Sequence, residues 1–233
     1  MSVSRSGFYK WKYRKENPSL REISRQSDIE LIKKIHQKHK SHGYRWKKPD
    51  EEHQTFSNLV WNGWKKLTSP FEVIVSDMTA FWVKNTYYEL TLYFDAWNKE
   101  ILGYGLSSKK GERNTYFNGL NQVLSKIKEE KIKDQIILHT DQGPVYSSKK
   151  YNNLLNEFNI RRSMSRAGTP TDNPVNESLN GWIKEELFID FDLKHSKDVP
   201  NLIKLYIEYY NNERPSYALN YKTPIQYKTE SGF

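Results

Sequence analysis

Three acidic residues stand at positions where a folded chain can gather side chains into one cleft. Asp77 closes the β-branched run Phe71-Glu-Val-Ile-Val-Ser-Asp77, Asp141 closes Gln135-Ile-Ile-Leu-His-Thr-Asp141, and Glu177 opens an apolar-periodic stretch reaching Leu187. Singly, each has a commoner role: an Asp after a strand forms turns or caps helices, and a Glu near a helix start complements the dipole. Together they define a different chemistry. Three carboxylates in one cleft repel one another unless cations neutralise them. Two divalent ions about 3.5–4 Å apart would clamp an in-line phosphoryl transfer, one activating the attacking oxygen and the other stabilising the leaving one. The chain has no cysteine, so any metal is held by oxygen or imidazole, and hard cations such as magnesium are the natural candidates.

The acids need a scaffold, and the sequence predicts one. The run ending at Asp77 is apolar on both parities after Glu72, as in a central strand covered on both faces. Residues 87–94 alternate with the period of a half-buried strand, and Ile101 to Leu106 form a third strand joined through Ala96 to Lys99. Phe117, Leu120, Leu124 and Ile127 mark an amphipathic helix closing at Lys128 to Lys133. The strand ending at Asp141 follows, then a helix over Tyr151 to Phe158, a strand over Ile160 to Met164, and a loop over Arg166 to Pro174. Two helices come last, through Glu177 to Leu187 and Val199 to Tyr210. This order is that of an α/β protein, a mixed sheet with helices packed on it.

Upstream, a basic amphipathic helix carries Ile29, Leu31, Ile32 and Ile35 behind Ser27 and Asp28. The expected division is a basic helical segment over 1–48, a linker over 49–69, the catalytic core over 70–190, and a C-terminal helix and tail over 191–233. Trp46, Trp61 and Trp64 argue that parts of the connection pack on the core. The net charge of +9 is uneven: residues 1–48 hold 14 Lys or Arg against 4 Asp or Glu, whereas residues 49–233 hold 23 against 24. Such a basic segment suits contact with phosphates, although a solvated helix without a partner has the same composition. No run reaches the roughly 20 apolar residues of a membrane span and no signal segment follows Met1, so a cytoplasmic location is expected.

The motifs around the acids resemble the DDE integrase core. The similarity lies in Val-Ile-Val-Ser-Asp77-Met-Thr, Leu-His-Thr-Asp141-Gln-Gly-Pro-Val-Tyr-Ser-Ser and Thr-Asp-Asn-Pro-Val-Asn-Glu177-Ser. The 35 residues between Asp141 and Glu177 match the spacing of retroviral integrases and of a large group of bacterial insertion-element transposases. The tail Tyr209 to Tyr227 is similar to that group's closing motif, and Ser4 to Trp11 with His42 to Arg45 resemble the opening of its second-reading-frame product. The resemblance implies an RNase H-like fold, with Asp77, Asp141 and Glu177 as catalytic metal ligands for two Mg2+ or Mn2+ ions. It also implies cleavage and strand transfer on double-stranded DNA at element ends and target, a homo-oligomer on DNA, a nucleoid location and a first-frame transposase partner.

Lys184 matches a basic residue that such transposases carry seven positions after the glutamate. Nearly two helical turns put it on the face of Glu177, with Leu179, Trp182, Ile183 and Leu187 opposite, so Lys184 is the expected DNA contact; a solvated lysine or one paired with Glu185 is the competing reading. His139 shares the parity of Asp141 and either touches the site or is a core histidine. Asn173 is expected to shape its loop or cap the helix, and Tyr146 and Arg214 to be structural. One departure is internal: between His42-Gly-Tyr-Arg45-Trp46 and Lys48-Pro-Asp-Glu-Glu52 the family carries a small helical DNA-binding region that is missing here. A nuclease that cuts without joining, and a DNA-binding relic of an element, are the rival readings.

Overall fold

The computed structural model describes Glu30 and residues 53–60, 67–166 and 174–233, with side chains in the helix that starts at Pro174 described from Leu179 onward. The basic helix around Ile29 to Ile35, the three upstream tryptophans and Asn173 lie outside the described residues. Two compact units divide the chain, 1–49 and 50–233, and every element named below belongs to the second.

Five strands form one sheet: β1 (Val73–Val83), β2 (Thr86–Asp95), β3 (Ile101–Ser107), β4 (Ile136–Thr140) and β5 (Ile160–Met164). Their order is β3-β2-β1-β4-β5. The first three form an antiparallel meander, and β4 and β5 join it in parallel. Asp77 does not end β1, contrary to expectation. The strand continues six residues past it, because Thr79, Phe81 and Val83 are buried while Trp82 is exposed, the alternation of a strand with one covered face. Pairing with β2 sustains that extension from Ile74↔Asp95 to Val83↔Thr86.

Residues 87–94 form the strand expected of them, yet β2 is buried on both faces from Glu89 to Asp95. Helix α1 (Asn114–Glu129) covers one face. There Thr91 Oγ1 donates to Thr115 Oγ1 at 3.0 Å and the Tyr93 hydroxyl donates to the Tyr116 carbonyl at 2.9 Å. The helix sits hard on β3: a Cβ on Gly105 would come within 2.1 Å of the Thr115 carbonyl oxygen, so only glycine allows that approach.

Helix α2 (Lys149–Asn153) is shorter than the expected 151–158. Of that stretch, Tyr151, Asn152 and Leu155 are buried, too narrow an apolar stripe to hold a longer helix by packing. The opposite face carries α3 (Pro174–Ile189) and α4 (Val199–Asn212). Ile183, Leu187, Ile203, Tyr206 and Tyr210 join Val73, Val75, Leu90 and Leu92 in one core cluster, while Ile74, Leu102, Leu120, Val123 and Leu138 form the other beneath α1. Glu186 on α3 takes the Arg214 guanidinium at 2.7 Å and the Tyr206 hydroxyl at 2.8 Å, fastening the tail; Arg214 is structural, as expected. Helix α5 (Pro224–Glu230), inside the expected C-terminal tail, opens with a capping box between Thr223 and Gln226 and a proline in its first turn.

The stretch 53–60, within the expected linker, is packed on this unit. Val60 is buried, His53 Nδ1 lies 2.8 Å from Ser147 Oγ, and the Leu59 amide donates to Ser163 Oγ at 2.9 Å. Among the described residues no helix is long and apolar enough to cross a membrane.

Candidate metal centre

The parallel ladder between β1 and β4 runs from Val73↔Ile137 to Ser76↔Thr140. Asp77 is the next residue on β1 and Asp141 the first residue after β4, and neighbouring strands lie about 4.8 Å apart. β4 stops there while β1 runs on, so the sheet steps back beside Asp77 and leaves both acids half-buried at the rim. Strand alternation places Asp77 on the side of Val73 and Val75, and Asp141 on the side of Ile137, the face covered by α3.

Helix α3 meets the site through Asn180, whose Nδ2 donates to Asp77 Oδ2 at 3.2 Å. Asp77 Oδ1 accepts the Met78 amide at 2.8 Å. Glu177 belongs to the same helix, one turn before Asn180; its side chain lies outside the described residues. Asp141 is held by its own turn. Its Oδ1 accepts the Gly143 amide at 2.8 Å, and a Cβ at position 143 would stand 2.7 Å from that same oxygen. A side chain at 143 would therefore turn the Asp141 carboxylate out of this position.

Beneath the acids a hydroxyl network ties the two strands. Ser76, just before Asp77, places its Oγ 2.8 Å from the Tyr146 hydroxyl. Tyr146 sits five residues beyond Asp141, is fully buried, and burial holds its phenol protonated well above the ordinary range. Its carbonyl accepts from Arg162 Nη2 at 3.3 Å, and the same nitrogen reaches Thr140 Oγ1 at 3.1 Å. Arg162 lies between the rings of Phe56 and Tyr151, 5.6 and 5.1 Å from their centres. One buried cation thus clasps both ends of the Asp141 turn. Tyr146 is structural, as expected; Arg162 and Ser76 were not singled out from the sequence, where a Ser before an acid and an Arg in a short strand carry no signal.

Other expectations sort plainly. His139 is a core residue, fully buried with Nδ1 2.9 Å from Ser163 Oγ. Lys184 is half-buried on α3, and no ion pair between it and Glu185 occurs among the described residues. Trp182 departs from its expected place: it is 56% exposed, whereas Ile183 and Leu187 are buried. At 100° per residue Trp182 lies about a third of a turn from Ile183, beyond the edge of the packed stripe. No group of three metal-ligating side chains occurs among the described residues, a set that omits the Glu177 carboxylate.

Comparison with known proteins agrees with this geometry. The integrase core domain family matches residues 68–170, and a second integrase core domain description matches 159–224. An uncharacterized transposase-like protein of Haemophilus influenzae is 31% identical over 164 residues, covering 70% of this chain and 74% of that protein. The chain belongs to the integrase-core family of insertion-element transposases. InsK, named as a transposase for insertion sequence element IS150 of Escherichia coli K12, is 34% identical over 178 residues, covering 76% of this chain. The chain spans 61% of the length of that relative. The integrase-core fold is shared with the HTLV-2 integrase catalytic core domain, solved in complex with magnesium in a trimeric form, at a TM-score of 0.53 and 19% identity over 69% of this chain and 97% of that one. The five-stranded mixed sheet flanked by helices is therefore the RNase H-like fold that the sequence motifs implied.

Proposed function

We propose that the chain is a DNA transposase that hydrolyses a phosphodiester at an insertion-element end and then joins the freed 3′-hydroxyl to a second phosphodiester. The observation that carries this reading is the β1–β4 register, which makes Asp77 and Asp141 neighbours at the rim with α3 docked on Asp77 through Asn180. The donor chemistry fits divalent metal: carboxylates only partly covered by protein, with neither thiolate nor an exposed imidazole beside them. Asp77 and Asp141 would hold the ions from the strands, and Glu177 would complete the shell from α3. Magnesium or manganese, bound as a pair, supplies Lewis acidity to the attacking and leaving oxygens.

The chain's own residues do the rest. Asn180 fixes the rotamer of Asp77, the Gly143 amide fixes that of Asp141, and Lys184, two turns beyond Glu177, steadies a backbone phosphate. No Ser or Tyr nucleophile is needed when water and a 3′-hydroxyl attack directly. Element-end and target DNA are the substrates, a further copy of this chain the partner on DNA, as the trimeric form of the HTLV-2 core suggests. A first-frame partner would supply the end recognition lost with the missing upstream region, and residues 1–48 would add phosphate contacts. The site of action is the nucleoid.

A strand-transfer assay with labelled element-end duplex and magnesium or manganese tests the reading. Asp77→Asn, Asp141→Asn and Glu177→Gln should each abolish both cleavage and joining while thermal unfolding stays within a few degrees of wild type. Joining at the wild-type rate by any of the three would remove that residue from the metal site.

A further inference from the structure

A second feature of the catalytic unit lies outside the acids. The loop between β3 and α1 and the start of α2 enclose a groove of about 890 Å³. Lys109, Lys110, Arg113, Lys149 and Lys150 line it, against a single acid, Glu112. Residues 49–233 as a whole are close to neutral, with 23 basic and 24 acidic side chains. Five cations along one groove are therefore a local concentration that the rest of the unit offsets elsewhere, and the field they create attracts a polyanion.

The two acids beside the loop, Glu89 and Glu112, bond its main chain. Glu89, buried on β2, turns its carboxylate to the loop backbone, accepting the Gly111 amide at 2.8 Å and the Glu112 amide at 3.2 Å. Glu112 in turn accepts the Asn114 amide at 3.1 Å, at the first residue of α1. The loop is thus held in shape by carboxylates bonded to its own main chain, while its lysines stand outward. Lys110 lies 5.9 Å from the centre of the Tyr87 ring and Lys150 5.0 Å from that of Phe117. Lys109, Lys110 and Lys150 form no ion pair among the described residues. Ammonium groups resting on aromatic faces keep their charge directed to whatever occupies the groove.

Position decides the ligand class. The turn that begins at Asp141 runs through Val145 and Ser148 into the groove wall, so the groove is lined by residues four to nine past a proposed metal ligand. It adjoins the α1 side of the sheet, whereas Lys184 stands on the α3 side. Cations spread along two elements match repeated phosphates better than one phosphate group, which calls for converging amides. We infer that this groove is a track for the sugar-phosphate backbone of duplex DNA, flanking the reacting phosphodiester on the side away from α3. This assignment rests on the transposase reading.

The test uses the full chain and a 30-base-pair duplex of random sequence, with affinity followed by fluorescence anisotropy against sodium chloride. Lys109→Gln, Lys110→Gln and Lys150→Gln combined should lower the slope of log affinity against log salt by about 2–3, at roughly 0.9 per phosphate contact. The matching triple change at the exposed Lys194, Lys197 and Lys204 should leave the slope within about 0.5 of wild type, since chance phosphate contacts are fewer than one there. An equal loss in both triples, or no loss in the first, overturns the groove. Because the chain has no cysteine, Lys110→Cys carrying a photoactivatable maleimide reports the source directly. Crosslinking to a labelled element-end duplex or to a labelled plain duplex, both present, identifies which DNA lies there; crosslinking to neither overturns the assignment. Wild-type strand transfer with an unmoved slope removes the groove alone, whereas absent strand transfer by the wild-type chain removes the transposase reading beneath it.

Discussion

The Ser76 Oγ and the Tyr146 hydroxyl lie 2.8 Å apart, and each belongs to a strand or turn that carries one of the two neighbouring acids. This hydrogen bond links the two acids through side chains as well as through the β1–β4 ladder: one residue back from Asp77, across to the side chain five residues on from Asp141.

Tyr146→Phe deletes that bond and leaves the ring contacts with Tyr116 and Tyr151 in place. Stability should fall by about 1–2 kcal/mol, the usual result of leaving one buried hydroxyl partner unmet. The relative shift of the two carboxylates should weaken magnesium binding, seen as a several-fold rise in the metal concentration giving half-maximal strand transfer. A variant with unchanged metal dependence would make the network a matter of stability only.

Gly143→Ala places a methyl group 2.7 Å from Asp141 Oδ1, and the carboxylate must turn away from its amide donor. Strand transfer should drop at least tenfold, while the unfolding midpoint moves by no more than a few degrees, because the clash is with the end of one partly exposed side chain. A fully active alanine variant would show that Asp141 works in another rotamer.

Much of this arrangement was readable beforehand and some was not. The alternation of residues 87–94 and the runs into Asp77 and Asp141 located three strands of the sheet, since β-branched runs bounded by turns leave few alternatives. The extent of β1 was not readable: Met78 to Val83 mix polar and apolar side chains, and only the antiparallel partner β2 holds them extended. The capping box at Thr223 and the proline after it were a legible start signal for α5. Helical angle puts Trp182 opposite Glu177 on α3, yet the packed stripe is centred on Ile183 and Leu187 and leaves Trp182 outside it. Arg162 could not be found from sequence, because its partners Thr140, Tyr146 and Phe56 come from three separate elements.

Lys184→Ala should weaken DNA binding and reduce the salt slope by about one phosphate contact, roughly 0.9, without changing metal dependence. Its place two turns past Glu177 on α3 motivates this. A slope equal to wild type returns Lys184 to an ordinary surface lysine.

Asp95 supplies a pH signature. Burial pushes its carboxyl up from 3.8 to about 6, against the opposing amides of Phe71, Trp97 and Asn98. The folded state therefore binds this proton more tightly than the unfolded chain, so its contribution is fully present below about pH 4 and is lost as pH rises through about 6. Between those limits stability should decline by on the order of 2–3 kcal/mol from this group. Asp95→Asn should flatten that part of the profile of urea midpoint against pH; an unaltered profile would mean that Asp95 titrates normally.

The clasp of residues 53–60 has a consequence in time. The Leu59 amide finds its partner Ser163 across 104 residues, and His53 finds Ser147 across 94. At ribosomal rates of about 5–20 residues per second, roughly 5–20 s separate the emergence of the two halves of this contact. During that interval Phe56 lacks the buried Arg162 that it later covers, and Asp77 waits a shorter time, 64 residues, for Asp141. The first part of the unit to leave the ribosome is thus among the last to settle, and the two strands that carry the acids align only once β4 has been made.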